Sequence, residues 1–162
     1  MIPASRLAER IVALLCERER TVAVAESLTG GLLGAELTAV PGASAVFRGG
    51  IIAYATDVKS ALLGVPAALL ATHGAVHPGV AAAMADGARA RLGADVGVAT
   101  TGVAGPDPAE GKSAGTVHIA VSVRERCVTR TLALAGGRQQ IRKDTVGHCL
   151  RLLWAALSEE DG

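Results

Sequence analysis

The chain has 162 residues, half of them hydrophobic, with 16 Lys and Arg against 15 Asp and Glu and a formal net charge of +1. That length suits one domain, residues 1–162, with a core of its own, and so apolar a composition excludes a disordered chain. Balanced charge supplies no basic field for nucleic acid or an anionic membrane surface, and three aromatics, Phe47, Tyr54 and Trp154, make no stacking platform for single strands.

Residues 4–20 carry Leu7, Ile11, Leu14 and Leu15 at helical spacing and predict an amphipathic helix. The short apolar run at 21–25 predicts a strand buried on both faces. A Ser-Leu-Thr-Gly-Gly turn and an apolar segment to Val40, closed by Pro41-Gly42, predict a tight turn and a helix. With a second strand at 50–55, the stretch 21–55 reads as a βαβ unit with parallel strands. Short helices are predicted at 57–63 and 66–72, and a longer one at 78–92 with Pro78 in its first turn, where a missing N–H costs nothing. Residues 60–85 carry no formal charge, yet Gly64, Pro66, Gly74, Pro78 and Gly79 interrupt them too often for a membrane-spanning helix.

A third buried strand is expected at 94–101, followed by a loop over 102–115 rich in Gly and Pro. Residues 116–123 alternate, with Val117, Ile119, Val121 and Val123 on one face, and pair with 127–134 across the charged turn 124–126 as an antiparallel hairpin. A helix over 138–158 closes the chain, with Val146, Leu150, Leu153, Trp154 and Leu157 on its buried stripe. The sum is an α/β fold, a mixed sheet of about five strands covered by helices on both faces. The N-terminus lacks the basic-then-apolar pattern of a signal peptide. Cys16, Cys127 and Cys149 have neither disulfide nor zinc spacing and read as buried free thiols of a reducing cytosol. The expectation is a cytoplasmic protein with no metal.

In open α/β sheets, ligands sit beyond the carboxyl ends of parallel strands. Two turns leave such ends, 26–31 after the first strand and 101–106 after the third. A Ser or Thr beside glycines at a helix start can hold an anion or oxyanion through backbone N–H groups, or act as a nucleophile if a base is near; it can equally be a plain N-cap. Neither turn has a GxGxxG, GxxxxGK[ST] or GxSxG pattern. For Ser27 the candidate base is Lys59, one turn into the helix after the second strand; an amine serves only if desolvation lowers its pKa, and the alternative is an exposed lysine. The histidines, His73, His77, His118 and His148, sit at a helix boundary, in a strand and in a helix, and read as structural.

Five ordered motifs then coincide with a known family: Ala-Glu-Ser-Leu-Thr-Gly-Gly at 25–31, Tyr-Ala-Thr-Asp-Val-Lys at 54–59, Thr-Gly-Val-Ala-Gly-Pro at 101–106, Ala-Gly-Thr-Val at 114–117 and Gly-Gly-Arg-Gln-Gln-Ile-Arg at 136–142. On these the sequence resembles the CinA C-terminal domain family, the nicotinamide mononucleotide deamidases, over about 7–157, and its length suits the stand-alone form. The resemblance implies a three-layer α/β/α sandwich around a mixed, mainly parallel sheet. It also implies a Ser/Lys amidohydrolase of pyridine nucleotide recycling that turns nicotinamide mononucleotide into nicotinate mononucleotide and ammonia without a cofactor. Ser27 matches the nucleophile, Lys59 its base and Tyr54 the motif tyrosine beside it.

For the substrate, the amides of Thr29, Gly30 and Gly31 are candidates for the oxyanion. Arg138 and Arg142, at i and i+4, suit the phosphate, or else form an exposed helix face. Gly102 and Gly105 suit phosphate or ribose, with hydroxyls from Thr101 and Thr116. Phe47 either stacks on the pyridinium ring or belongs to the core. Two departures from the family pattern, Thr56 and Gly137 in place of Asn and Asp, bear on substrate identity rather than on hydrolysis. The partner expected is a small mononucleotide, with self-association common to such domains. A non-catalytic nucleotide-binding or regulatory module, linked to competence or DNA damage, is the competing reading.

Overall fold

A computed structural model describes residues 1–161 of the 162. In chain order the elements are α1 (Ala4–Glu17), β1 (Val22–Glu26), α2 (Leu32–Thr38), a 3-10 turn (Ala43–Ala45), β2 (Phe47–Ile52), α3 (Thr56–Leu63), α4 (Ala67–His73), α5 (Pro78–Leu92), β3 (Val96–Gly102), β4 (Thr116–Val123), β5 (Arg126–Ala133), α6 (Arg138–Ser158) and a closing 3-10 turn (Glu159–Asp161). The sheet has five strands in the order β2-β1-β3-β4-β5. β2, β1 and β3 run parallel, while β3–β4 and β4–β5 are antiparallel.

The alternation of side chains along the strands explains the three layers. Val22 and Val24 of β1, Val96 and Val98 of β3, and Val117, Ile119, Val121 and Val123 of β4 join one core with the apolar stripes of α1, α2 and α6. The opposite face presents Ala23, Ala25, Ala99 and Ala120 and packs against α3, α4 and α5. Bulky residues set the distance on the first face; small ones let α5 lie close on the second. A Cβ at Gly97 of β3 would sit 2.1 Å from the Ala85 carbonyl of α5, so only glycine fits there.

Most predicted elements occur where expected, with three differences. The first helix stops at Glu17, and Glu19 then takes a left-handed φ of 52° to turn toward β1. The second strand is Phe47–Ile52 rather than 50–55, so Tyr54 lies in the connection to α3. Arg48-Gly49-Gly50 has no strand propensity; pairing with β1 holds it, across a register shift opposite Val22/Ala23, with Gly50 pressed so close to Val24 that a Cβ would meet its Cγ2 at 2.6 Å. Finally, all three cysteines are free, but Cys16 and Cys127 are exposed and only Cys149 is buried, because Cys16 falls off the apolar stripe of α1 and β5 is an edge strand. Among the described residues no helix is long and apolar enough to cross a membrane.

Candidate active site

Three parallel strands end at one edge of the sheet, and their connections meet there. Ser27 directly follows β1. Its N–H donates to the Thr100 carbonyl (3.1 Å) and lies 3.2 Å from Thr100 Oγ1, so β3 fixes the turn. Lys59 stands one turn into α3, and its side chain is almost wholly buried at 1% exposure. The ammonium nitrogen reaches Ser27 Oγ at 3.0 Å, the Ala53 carbonyl at 2.8 Å and the Tyr54 carbonyl at 3.1 Å. Three donors therefore have three acceptors. A neutral amine in the same cage spends its two N–H groups on the carbonyls and turns its lone pair toward the Ser27 hydroxyl. Desolvation lowers the Lys59 pKa to about 8, opposed by the negative charge of Glu110.

The pair opens into a cleft of ≈ 480 Å³. Of the residues anticipated from sequence, Ser27, Lys59, Tyr54, Thr101, Gly102, Gly105 and Arg138 line it. Arg138, at the start of α6, donates from Nη1 to the Gly105 carbonyl (2.7 Å) and from Nη2 to the Tyr54 hydroxyl (3.1 Å). Tyr54 thus offers its carbonyl to Lys59 and its ring hydroxyl to Arg138. The Thr101 hydroxyl is already committed, donating to the Ala75 carbonyl at 2.8 Å, where it anchors the α4–α5 connection as a wall of the cleft.

The other candidates lie elsewhere. Thr29 is fully buried and shares a 2.9 Å hydrogen bond with Thr100 Oγ1. The Gly30 N–H closes the turn on the Ser27 carbonyl, and the next free amides of the α2 terminus, at Leu33 and Gly34, donate to the buried Glu26 carboxylate. Glu26 thus caps α2, and none of Thr29, Gly30 and Gly31, the expected oxyanion donors, lines the cleft. Arg142 likewise does not reach the cleft. Its Nε donates to the Leu28 carbonyl (2.9 Å) and its Nη2 to the Thr29 carbonyl (3.3 Å), bracing the turn from below. Phe47 opens β2 at the amino end of the parallel strands, paired with Val22, and its ring packs near Gly34 at the core. Thr116 holds the loop: its carbonyl accepts from Val103 N–H and its hydroxyl meets Ser113 Oγ at 3.3 Å.

A family model described as the CinA C-terminal domain matches residues 4–157. The chain belongs to the CinA C-terminal domain family. A CinA-like protein of Frankia casuarinae is 55% identical over 143 residues, 88% of this chain and 33% of the relative. The chain spans about a third of the length of the curated relatives it matches. Among solved structures, the competence/damage inducible protein CihA from Agrobacterium tumefaciens superposes with a TM-score of 0.91 at 37% identity over 98% of both chains. A CinA superfamily protein from Klebsiella pneumoniae superposes with a TM-score of 0.94 at 30% identity over 98% of this chain and 99% of that one.

In this CinA domain the cleft also contains residues that sequence reasoning did not select. Asp107 lines it, as do Ala75 and Val76 from the α4–α5 connection and Ala109 and Glu110 from the loop after β3; Thr56, one of the two departures from the family pattern, lines it as well. The available signal was an acid, Glu110, in a loop leaving a strand's carboxyl end, where it shares the charge with Asp107 and Lys112. What that acid touches lies 34 residues away in sequence, at Val76, so no local pattern announced it. Among the described residues no group of three or more His, Cys, Asp or Glu is placed to hold a metal ion.

Proposed function

We propose that this CinA domain is a Ser/Lys amidohydrolase that converts nicotinamide mononucleotide and water to nicotinate mononucleotide and ammonia. The observation that carries the reading is the buried Lys59 amine, 3.0 Å from Ser27 Oγ and fixed by two carbonyls, at the floor of a cleft of ≈ 480 Å³. That volume falls within the usual range for small-molecule sites.

In the proposed cycle, neutral Lys59 takes the hydroxyl proton as Ser27 Oγ attacks the carboxamide carbon. The Ala53 and Tyr54 carbonyls hold the ammonium that forms. It returns the proton to the amide nitrogen, the C–N bond breaks and ammonia leaves an acyl ester on Ser27. Water then adds to the ester carbon, giving a proton to Lys59 that passes to Ser27 Oγ as the acid departs. Each proton taken is given back. Arg138 retains N–H donors beyond those on Gly105 and Tyr54, and a guanidinium of that kind suits the substrate phosphate. The reading also puts the protein in a reducing cytoplasm, in keeping with its three free thiols.

The test is ammonia release from nicotinamide mononucleotide by wild type, Ser27→Ala and Lys59→Ala. Each substitution should reduce kcat by at least about 10³-fold with the circular dichroism spectrum unchanged. Wild-type rates in both variants would overturn the assignment. Nicotinamide riboside in place of the mononucleotide should raise KM, and equal kinetics with the two would remove the phosphate from the reading. Thermal stabilisation by the mononucleotide without product would favour the binding-module alternative.

A further inference from the structure

We propose that Glu110 is a positioning residue for the Ser27–Lys59 pair: its carboxylate clamps the loop after β3 onto the α4–α5 connection and so builds the charged wall that faces the buried lysine. This rests on the reading of Lys59 as the base.

The geometry is specific. Glu110 Oε1 accepts from Ala75 N–H and Oε2 from Val76 N–H, each at 3.0 Å. One carboxylate therefore satisfies two successive amides where α4 has ended and α5 has not begun. The connection makes room for it at Gly74, whose φ is +73°; a Cβ there would lie 2.6 Å from Glu110 Oε2. Ala75 is held from the other side by the Thr101 hydroxyl of β3. On its own loop, Glu110 sits in a turn closed by reciprocal Ala109 and Lys112 backbone bonds of 3.0 and 2.9 Å, and Lys112 Nζ lies 3.9 Å from Oε2. Ala75, Val76, Ala109 and Glu110 all line the cleft with Ser27 and Lys59. Apart from this clamp, no side-chain hydrogen bond joins the loop after β3 to the α4–α5 connection among the described residues.

The same carboxylate acts on the lysine through space. Other charged groups near this wall are Asp107 and Lys112 on the loop, Arg138 on α6, and His77, which faces His73 and Lys112. Of these, the Glu110 carboxylate is the charge that raises the proton affinity of Lys59, against the burial that lowers it. Burial pushes its own carboxyl up, but the two amides, Lys112 and Lys59 together hold it below the usual value, so it stays ionised while the lysine titrates. A negative charge here favours the ammonium that Lys59 becomes when it takes the serine proton.

The experiment is the pH dependence of kcat/KM for wild type, Glu110→Gln and Glu110→Asp. In wild type, activity should rise with pH through about 8, as Lys59 loses its proton. Glu110→Gln keeps the shape and removes the charge; its limb should move to lower pH and its plateau fall about tenfold, the scale of a lost charge-assisted contact. Glu110→Asp retains the charge and should hold the limb at the wild-type position. An unmoved limb in Glu110→Gln, with the limb present in wild type, would overturn the proposal while sparing the dyad. A wild type with no limb near 8 would instead count against Lys59 as the base. If Glu110→Gln fails to fold, Gly74→Ala, which pushes the carboxylate out of its seat, supplies the same readout: a shifted limb supports the clamp and an unshifted one refutes it.

Discussion

Lys59 is the residue on which chemistry and stability oppose each other. A lysine at 1% exposure with a pKa of about 8, against an ordinary 10.5, is an expensive thing to bury. Because its folded-state pKa lies below the unfolded one, the native state binds fewer protons between these values. Stability therefore rises with pH across that window, and the full cost is present below about 8. Lys59→Met should accordingly be inactive yet more stable than wild type at pH 7, by about 1–3 kcal/mol. The advantage should vanish between pH 8 and 10.5. Urea unfolding at both ends of the range would check it; a constant difference would mean that the amine is not desolvated. Ser27 and Lys59 were legible in the sequence because each sits at a strand end beside a helix start. The roles of Glu110, Arg142 and Glu26 were not, because their partners are backbone amides and carbonyls that no side-chain pattern records.

At the level of elements, α5 is the part whose placement tolerates least. Gly87 lies in its middle, and a Cβ there would stand 2.1 Å from the carbonyl of Leu63, the last residue of α3. Alanine normally gains up to ~1 kcal/mol over glycine inside a helix. Here overpacking against backbone, roughly 1–3 kcal/mol or more, outweighs that gain. Gly87→Ala should lower the denaturation midpoint and also reduce kcat, since α3 must shift and Lys59 rides one turn upstream on it. A variant with a lowered midpoint and normal kcat would show that α3 stays put. The long periodic elements, such as α5, β4 and α6, occur where the alternation and helical spacing predict them, because each buries its own stripe. β2 does not: Phe47-Arg48-Gly49-Gly50 has no such stripe, and only the neighbouring β1 makes it a strand. That one displacement moved Phe47 to the amino end of the sheet and Tyr54 into the loop over the cleft.

Across the whole molecule, the last turn is tied by charge to the α1–β1 connection and to the β4–β5 turn. Glu160 pairs with Arg20, with Arg18 at 3.6 Å and with Arg124 at 3.1 Å, and its side chain is only 8% exposed. Replacing a partly buried carboxylate that faces three guanidinium groups leaves them without a counter-charge. Glu160→Gln should cost about 1–3 kcal/mol of stability by denaturant unfolding, with kcat unchanged because the cluster is remote from the cleft. An unchanged midpoint would show the cluster to be solvated instead.

From residue order alone follow the α/β class, the near-complete set of elements, and the placing of a Ser and a Lys each at a strand end beside a helix start. All of these are properties of short windows, in which burial imposes a period of two or 3.6 on the chain. The tertiary structure decided which polar groups remain for a ligand. It gave the amides of Gly30, Leu33 and Gly34 to internal acceptors, turned Arg142 onto the turn's carbonyls, and set Glu110 opposite Lys59. Hydrogen-bonding capacity is consumed by whichever partner folding brings within reach, and for Glu110 and Arg142 that partner lies 34 or more residues away along the chain.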